Sequence, residues 1–190
     1  MARTKEFDPD VALASAMELF WAHGYEATSM EQLCSHLGIS RASLYDTFGS
    51  KRDLYLKALD CYSSSNDGSP LTILAAEGSP LAAVRALITR YATPQPEVPG
   101  GCFMIKAANA CQPDDDDVTS RVTKNWNDIE SALAHTLGRA KACGEIQTTD
   151  THALAQVLMV LLQGMEVFSN NDDLDPRLAA AAAHARALLV

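Results

Sequence analysis

An all-α protein is predicted by three features of this 190-residue sequence. No strand-like alternation of any length occurs, and apolar residues recur instead at helical spacing. Several of the runs that carry them open at Ser, Thr or Asp, and several close at Gly. About nine helices are expected. They divide into a three-helix helix-turn-helix bundle over residues 1–62 and a larger C-terminal helical bundle over 63–190. With 47% apolar residues, the chain can bury a real core in one domain or two.

The elements follow in order. Asp8 is placed as an N-cap, with Pro9 at the first helical position. Leu13, Ala16, Met17 and Phe20 then form one stripe, and Gly24 supplies the stop. Thr28 and Glu31 read as a capping box for the second helix. Its stripe is Met30, Leu33, Cys34 and Leu37, with Gly38 just beyond. Ser40 caps a short third helix whose Leu44 and Phe48 point inward. Gly49 interrupts the pattern, and Ser50 caps a fourth helix from Lys51 to about Tyr62.

The polar run SSSNDGSP, residues 63–70, is the strongest internal boundary. Ser79-Pro80 opens a helix to about Ala92, and TPQPEVPGG at 93–101 cannot be helical. Cys102 to Cys111 is a short apolar helix. The acidic tetrad Asp114 to Asp117 then suits the positive end of a long helix running to Cys143, with Gly144 past its end. Asp150 starts a markedly apolar helix ending near Phe168, and Asp175-Pro176 starts the last, Ala-rich one.

Several function classes are argued against. No apolar run of about 18 residues stands out as a membrane span. The N-terminus MARTKEFDPD lacks the apolar stretch of a secretory signal, so a cytoplasmic protein is expected. The five cysteines are odd in number and scattered, which fits reduced thiols better than a disulfide framework. No close Cys/His cluster suggests zinc, and four consecutive carboxylates at Asp114 to Asp117 cannot converge on one ion. No Gly-rich phosphate loop, nucleophile elbow or His-Glu zinc motif occurs. His152 and His184 stand singly on helices. Neither catalysis nor a cofactor is expected.

The informative stretch is GISRASLYDTFGSKRDLY, residues 38–55. The three-residue turn Gly38-Ile39-Ser40 is too tight for an ordinary antiparallel hairpin, so the third helix crosses the second and leaves one face free. That face carries Arg41, Ala42, Ser43, Tyr45 and Asp46. Arg forks onto guanine, Ser bonds a base edge or phosphate, and Ala admits a thymine methyl. Tyr45 and Thr47 suit phosphate contacts. Thr28 and Ser29 flank the free N–H groups of one helix start, Ser40 caps the next, and Lys51 begins a third. These positions bracket a groove, with base readers at the centre and phosphate clamps on either side. Residues 40–46 are the expected recognition helix.

Charge opposes this reading at first sight. The chain carries −9, and residues 1–62 hold six Lys/Arg against nine Asp/Glu. Arg3, Lys5, Arg41, Lys51 and Arg52 are expected to share one face while Glu18, Glu26 and Asp60 point elsewhere. Over a Debye length of about 8 Å that local pattern outweighs distant acid.

Residues 8–62 resemble the DNA-binding domain of the TetR/AcrR family of bacterial transcriptional regulators. The matching pieces are AMELFWAHGYEATSM, residues 16–30, and residues 38–55, with the family's aromatic-x-x-Phe-x-x-Lys pattern as Tyr45, Phe48 and Lys51. The resemblance implies a homodimer on palindromic operator DNA and a ligand- or stress-sensing C-terminal domain. It also implies repression of a neighbouring operon, relieved by a small molecule or by thiol oxidation or alkylation. The competing reading is a helical small-molecule-binding or enzymatic protein without specific DNA binding.

HALAQVLMVLLQGMEVF, residues 152–168, is apolar around most of its circumference, and LAAAAAHARALL permits close helix approach. These last two helices are the expected dimer interface. For sensing, Cys102 is placed in the first turn of its helix with Lys106 over the same face, and both features favour a thiolate. Cys111 follows nine residues later, too far around and along an intact helix to bridge to Cys102. Gly-Cys followed by Lys and a second Cys also resembles electrophile- and oxidant-sensing members of that family. Phe103, Met104, Trp126, Met159, Gln163 and Phe168 are the alternative, a pocket for a small apolar effector whose identity the sequence leaves open.

Overall fold

A computed structural model describes residues 7–64, 68–93, 99–112, 114–168 and 176–190. Among these it is built of ten helices: α1 (Pro9–His23), α2 (Met30–Leu37), α3 (Arg41–Phe48), α4 (Lys51–Ser64), α5 (Pro70–Leu74), α6 (Pro80–Ala92), α7 (Phe103–Ala110), α8 (Asp116–Ala142), α9 (Thr151–Phe168) and α10 (Pro176–Ala187). The helix beyond the expected nine is α5, five residues capped by Ser69 with Pro70 at its first position. Too short to show a stripe, it was hidden at the end of the polar run. Every predicted helix has its counterpart; Arg3 and Lys5 of the expected basic face, and the expected helix start at Asp175, lie outside the described residues.

The chain forms two compact units, Met1–Ser65 with Lys106–Val122, and Asn66–Ile105 with Thr123–Val190. The expected boundary after residue 62 puts 106–122 in the C-terminal part. Packing places them with the N-terminal helices instead, and charged contacts show why. Lys106 Nζ donates to the Trp21 carbonyl at 3.0 Å. Arg121 Nε donates to Asp60 at 2.9 Å, and Arg52 grips Asp115 and Asp117.

In the first unit α1 packs along α4, while α2 and α3 lean on them. Phe20, Leu33, Leu44, Leu54 and Leu59 are fully buried. Tyr55 stands edge-on to Phe20, with ring centroids 5.2 Å apart. Each such apolar side chain contributes about 1.5–3 kcal/mol by leaving water. Of the α1 stripe, Ala16 and Phe20 are in this core, whereas Leu13 and Met17 are half-buried.

The second unit is organised on α6, which packs against α5, α9 and α10. Val84, Leu87 and Ile88 meet Leu158 and Leu162 of α9 and Leu178 and Ala182 of α10 in one cluster. Glu145 closes the start of α6 by accepting the Leu81 N–H at 2.8 Å. Helix α9 has 18 residues and a mean hydropathy of 1.3, enough by length and composition to cross a membrane, contrary to the expectation that no segment would qualify. Its inward residues Ala155, Leu158, Met159, Leu162 and Met165 are core, and the rest of the helix is half-buried or exposed.

Candidate nucleic-acid interface

The interface is assembled from three consecutive helix starts. At α2 the cap is Ser29, one residue later than predicted. Ser29 Oγ accepts the Gln32 N–H at 3.1 Å, and Gln32 Oε1 accepts the Ser29 N–H at 2.7 Å. The pair Thr28 and Glu31 does not form the box, because Thr28 is buried and its hydroxyl donates to the Gly24 carbonyl at 2.7 Å. Thr28 therefore supports the turn from within and is withdrawn from the surface set. Ser29 stays exposed at a helix N-terminus, where backbone N–H groups favour an anion.

Gly38 takes the left-handed conformation at φ 64°, which ends α2 and turns the chain within three residues. Ser40 then caps α3 by accepting the Ser43 N–H at 3.1 Å, and the two hydroxyls lie 2.9 Å apart. Leu44 and Phe48 are buried beneath α3, which fixes its roll. Arg41, Ala42, Tyr45 and Asp46 consequently face outward, while Ser43 and Thr47 are half-buried along the edges. Arg41 bends toward Tyr45, with Nη2 3.4 Å from the phenol oxygen and Cζ 5.6 Å from the ring centroid. The guanidinium keeps most of its donors for a partner.

Gly49, at φ 84°, reverses the chain before α4, and a Cβ there would come within 2.6 Å of the Asp53 carboxylate. That carboxylate accepts the Ser50 N–H at 2.8 Å and its hydroxyl at 2.7 Å, while Ser50 Oγ accepts the Asp53 N–H. These Ser50 hydrogen bonds hold the Asp53 carboxyl below its usual range. Lys51 follows, with its ammonium 4.2 Å from the centre of the Tyr25 ring. Tyr25 is a support that sequence reasoning missed. Only its place just after Gly24 hinted that it would fold back toward α4.

Arg52 departs from the expected basic face. Its Nη1 and Nη2 donate to the two Asp115 oxygens at 2.7 Å each, and Nη2 also donates to Asp117 at 3.0 Å. Those bonds raise the guanidinium pKa and, together with the Val118 N–H, lower the Asp115 carboxyl to about 2. Arg52 is a structural cation, so beside the outward face of α3 the basic groups are exposed Arg41 at the centre and half-buried Lys51 at the edge.

The sensor candidates occupy different settings. Cys102 precedes the first residue of α7 instead of lying in its first turn, and it is half-buried. Lys106 Nζ donates a hydrogen bond to the Trp21 carbonyl. Cys111 lies just past the other end of α7, its thiol 3.3 Å from the Gln112 carbonyl. Burial, and secondarily Asp10, pushes the Cys61 thiol up.

Of the predicted effector pocket, Phe103, Met104 and Met159 are buried in the second unit. Trp126 and Gln163 are half-buried, yet Trp126 Nε1 and Gln163 Oε1 are themselves buried without a hydrogen-bond partner. Gln163 Nε2 lies 3.8 Å from Met159 Sδ. Burial, then Cys102 and Glu166, raise the Tyr91 phenol, and Gln163 hydrogen-bonds it. Phe168 does not belong to this set: it is exposed at the end of α9, with Arg177 5.0 Å above its ring.

Comparison with known proteins follows these two parts of the chain. Residues 12–58 match the sequence model of bacterial regulatory proteins of the tetR family. Residues 80–186 match that of the tetracyclin repressor-like C-terminal domain. The chain is 40% identical to an uncharacterized HTH-type transcriptional regulator, YezE, of Bacillus subtilis, over 83% of this chain and 84% of that one. It is 34% identical to the HTH-type transcriptional repressor ComR of Escherichia coli, over 87% and 80%. Among solved structures it resembles a cysteine mutant of the TetR family regulator CifR complexed with 26-bp double-strand operator DNA. That match has a TM-score of 0.84 at 27% identity and covers 100% of both chains.

Proposed function

This chain belongs to the tetR family of bacterial regulatory proteins, DNA-binding transcriptional regulators and not enzymes, and from that premise we propose that it is a homodimeric repressor of a palindromic operator. The carrying observation is α3. It is capped by Ser40, anchored by Leu44 and Phe48, and turns Arg41, Ala42 and Tyr45 outward between the helix starts at Ser29 and Lys51. In this reading Arg41 forks onto a base edge in the major groove, Ala42 admits close approach, and Tyr45, Ser29 and Lys51 hold phosphates. Repression is favoured by the relative ComR, a transcriptional repressor, and operator binding by the complex of CifR. A protein acting on DNA in this way works in the cytoplasm.

Dimerisation through α9 and α10 is supported by the outward side of α9. Val157, Val160 and Val167 are 55%, 75% and 54% exposed, aligned with Ala153 and Gly164 at helical spacing. A monomer in water gains nothing from such a stripe, whereas a second copy covers it and sets two recognition helices about 34 Å apart.

Release from DNA has two forms in this reading. A small effector in the second unit would satisfy Trp126 Nε1 and Gln163 Oε1. Oxidation or alkylation of Cys102 is the other. A band shift with DNA flanking the protein's own gene, with and without hypochlorite or a quinone and with Cys102→Ser alongside, separates them. Binding lost in the wild type and kept in the variant establishes the thiol switch. Binding kept in both selects the small-molecule effector, and no binding at any salt concentration overturns the operator reading.

A further inference from the structure

The first unit contains a cleft of about 390 Å³ that the DNA-facing residues leave unused. It lies between the turn after α1, the start of α4 and the connection from α7 to α8. Its floor is apolar, formed by the buried Ala107 and Val118. Two tyrosines wall one side, with the rings of Tyr25 and Tyr55 4.8 Å apart. The exposed carboxylates of Glu26 and Asp114 stand at its edge. The volume falls in the range of small-molecule sites, about 300–1,000 Å³.

The charge of the lining selects the ligand. Arg52 is the cleft's only cation among the lining residues, and three of its hydrogen bonds already run to Asp115 and Asp117. An incoming anion would have to break that bidentate pair and pass Glu26 and Asp114. A cation meets two carboxylates that have no ion-pair partner among the described residues, and an aromatic wall. Tyr25 already takes one cation in this way, with the Lys51 ammonium 4.2 Å from its ring centre, and an electron-rich ring of this kind favours positive charge.

We propose that this cleft binds a small organic cation with an aromatic or apolar body. The body lies against Ala107, Val118 and Tyr55, and the charged group lies between Tyr25 and the carboxylates of Glu26 and Asp114. The site is separate from the unsatisfied polar pair of the second unit and needs no DNA for its test, so its failure leaves the operator reading untouched.

The test is calorimetric titration of the full chain with benzyltrimethylammonium, and with phenylmethanesulfonate as an anion of similar shape. Saturable binding of the cation at one site per chain, weak or absent for the anion, is expected. The double variant Glu26→Gln/Asp114→Asn should weaken the cation roughly fivefold, the combined loss of two exposed ionic contacts of middling strength. A second double variant, Glu18→Gln/Glu77→Gln, makes the same change in net charge at exposed positions elsewhere and should bind like the wild type. All four substitutions are at the surface, so each protein should retain its thermal transition. No saturable binding, preference for the anion, or equal weakening by both double variants would overturn the proposal.

Discussion

Helices α3 and α9 each leave one face uncovered, and the two faces are chemical opposites. On α3 the outward residues are Arg41, Ala42, Tyr45 and Asp46, a mixture that water solvates at no cost. On α9 they are Ala153, Val157, Val160, Gly164 and Val167, which water solvates poorly. A face of the first kind waits for a partner rich in acceptors and negative charge. One of the second kind calls for an apolar surface, and a second copy of the same helix supplies it. The difference shows that exposure by itself identifies nothing. The atoms exposed, and what holds their helix in its roll, decide which partner fits.

The comparison can be broken most severely from beneath. Leu44→Ala removes the buried anchor of α3 and should cost about 2–5 kcal/mol, read as a lower unfolding midpoint in urea. If stability stays within about 0.5 kcal/mol, the roll of α3 is set by something other than Leu44. Val160→Glu sets a carboxylate on the outward face of α9. It should shift sedimentation from dimer to monomer, weakening self-association by on the order of 2–4 kcal/mol, with little effect on the fold of the monomer. An unchanged dimer would move the interface elsewhere.

Arg41→Ala should weaken operator binding by about 1–3 kcal/mol and relax preference at one base pair of each half-site. Uniform weakening across sequences would make Arg41 a phosphate contact. A finer contrast lies between neighbours. Lys51→Ala should flatten the dependence of log affinity on log salt by about one unit per recognition domain, whereas Arg52→Ala should leave that slope unchanged because its guanidinium is bound to Asp115 and Asp117.

The smallest expected effect concerns acid. The Asp115 carboxyl is lowered from 3.8 to about 2, so its pairing stabilises the folded state above the unfolded pKa near 4 and is lost as pH falls toward 2. Thermal melts of the wild type and Asp115→Asn should therefore differ at pH 6 and converge toward pH 2.5. A gap that stays constant over that range would place the contribution in packing instead of charge.

The main lines of the candidate interface were legible because they are local. Gly38 and Ser40 sit within one turn of the chain, and the spacing of Leu44 and Phe48 leaves Arg41, Ala42 and Tyr45 on the opposite side. The error at Thr28 shows the limit of the same logic. Two adjacent hydroxyl residues fit a capping box almost equally in sequence, and burial of Thr28 against the Gly24 carbonyl decided for Ser29. Arg52 was misread for a different cause: its partners lie 63 and 65 residues away, beyond any local pattern. Phe168 was placed in a pocket from its helical spacing, but the core face of α9 passes through Met165 and leaves Phe168 outside.

By itself, then, the sequence determined what depends on neighbours within about a turn of helix: the all-helical class, the caps, the tight turn and the outward face of α3. Only the tertiary structure decided which charges are free. It joined Lys106–Val122 to the N-terminal helices, paired Arg52 with two aspartates, set Lys51 on Tyr25 and opened the cleft beside them. The physical reason is one of range. Hydrogen-bonded caps and helical stripes act between residues close in the chain, whereas ion pairs, ring contacts and cavities form between residues that only packing brings together.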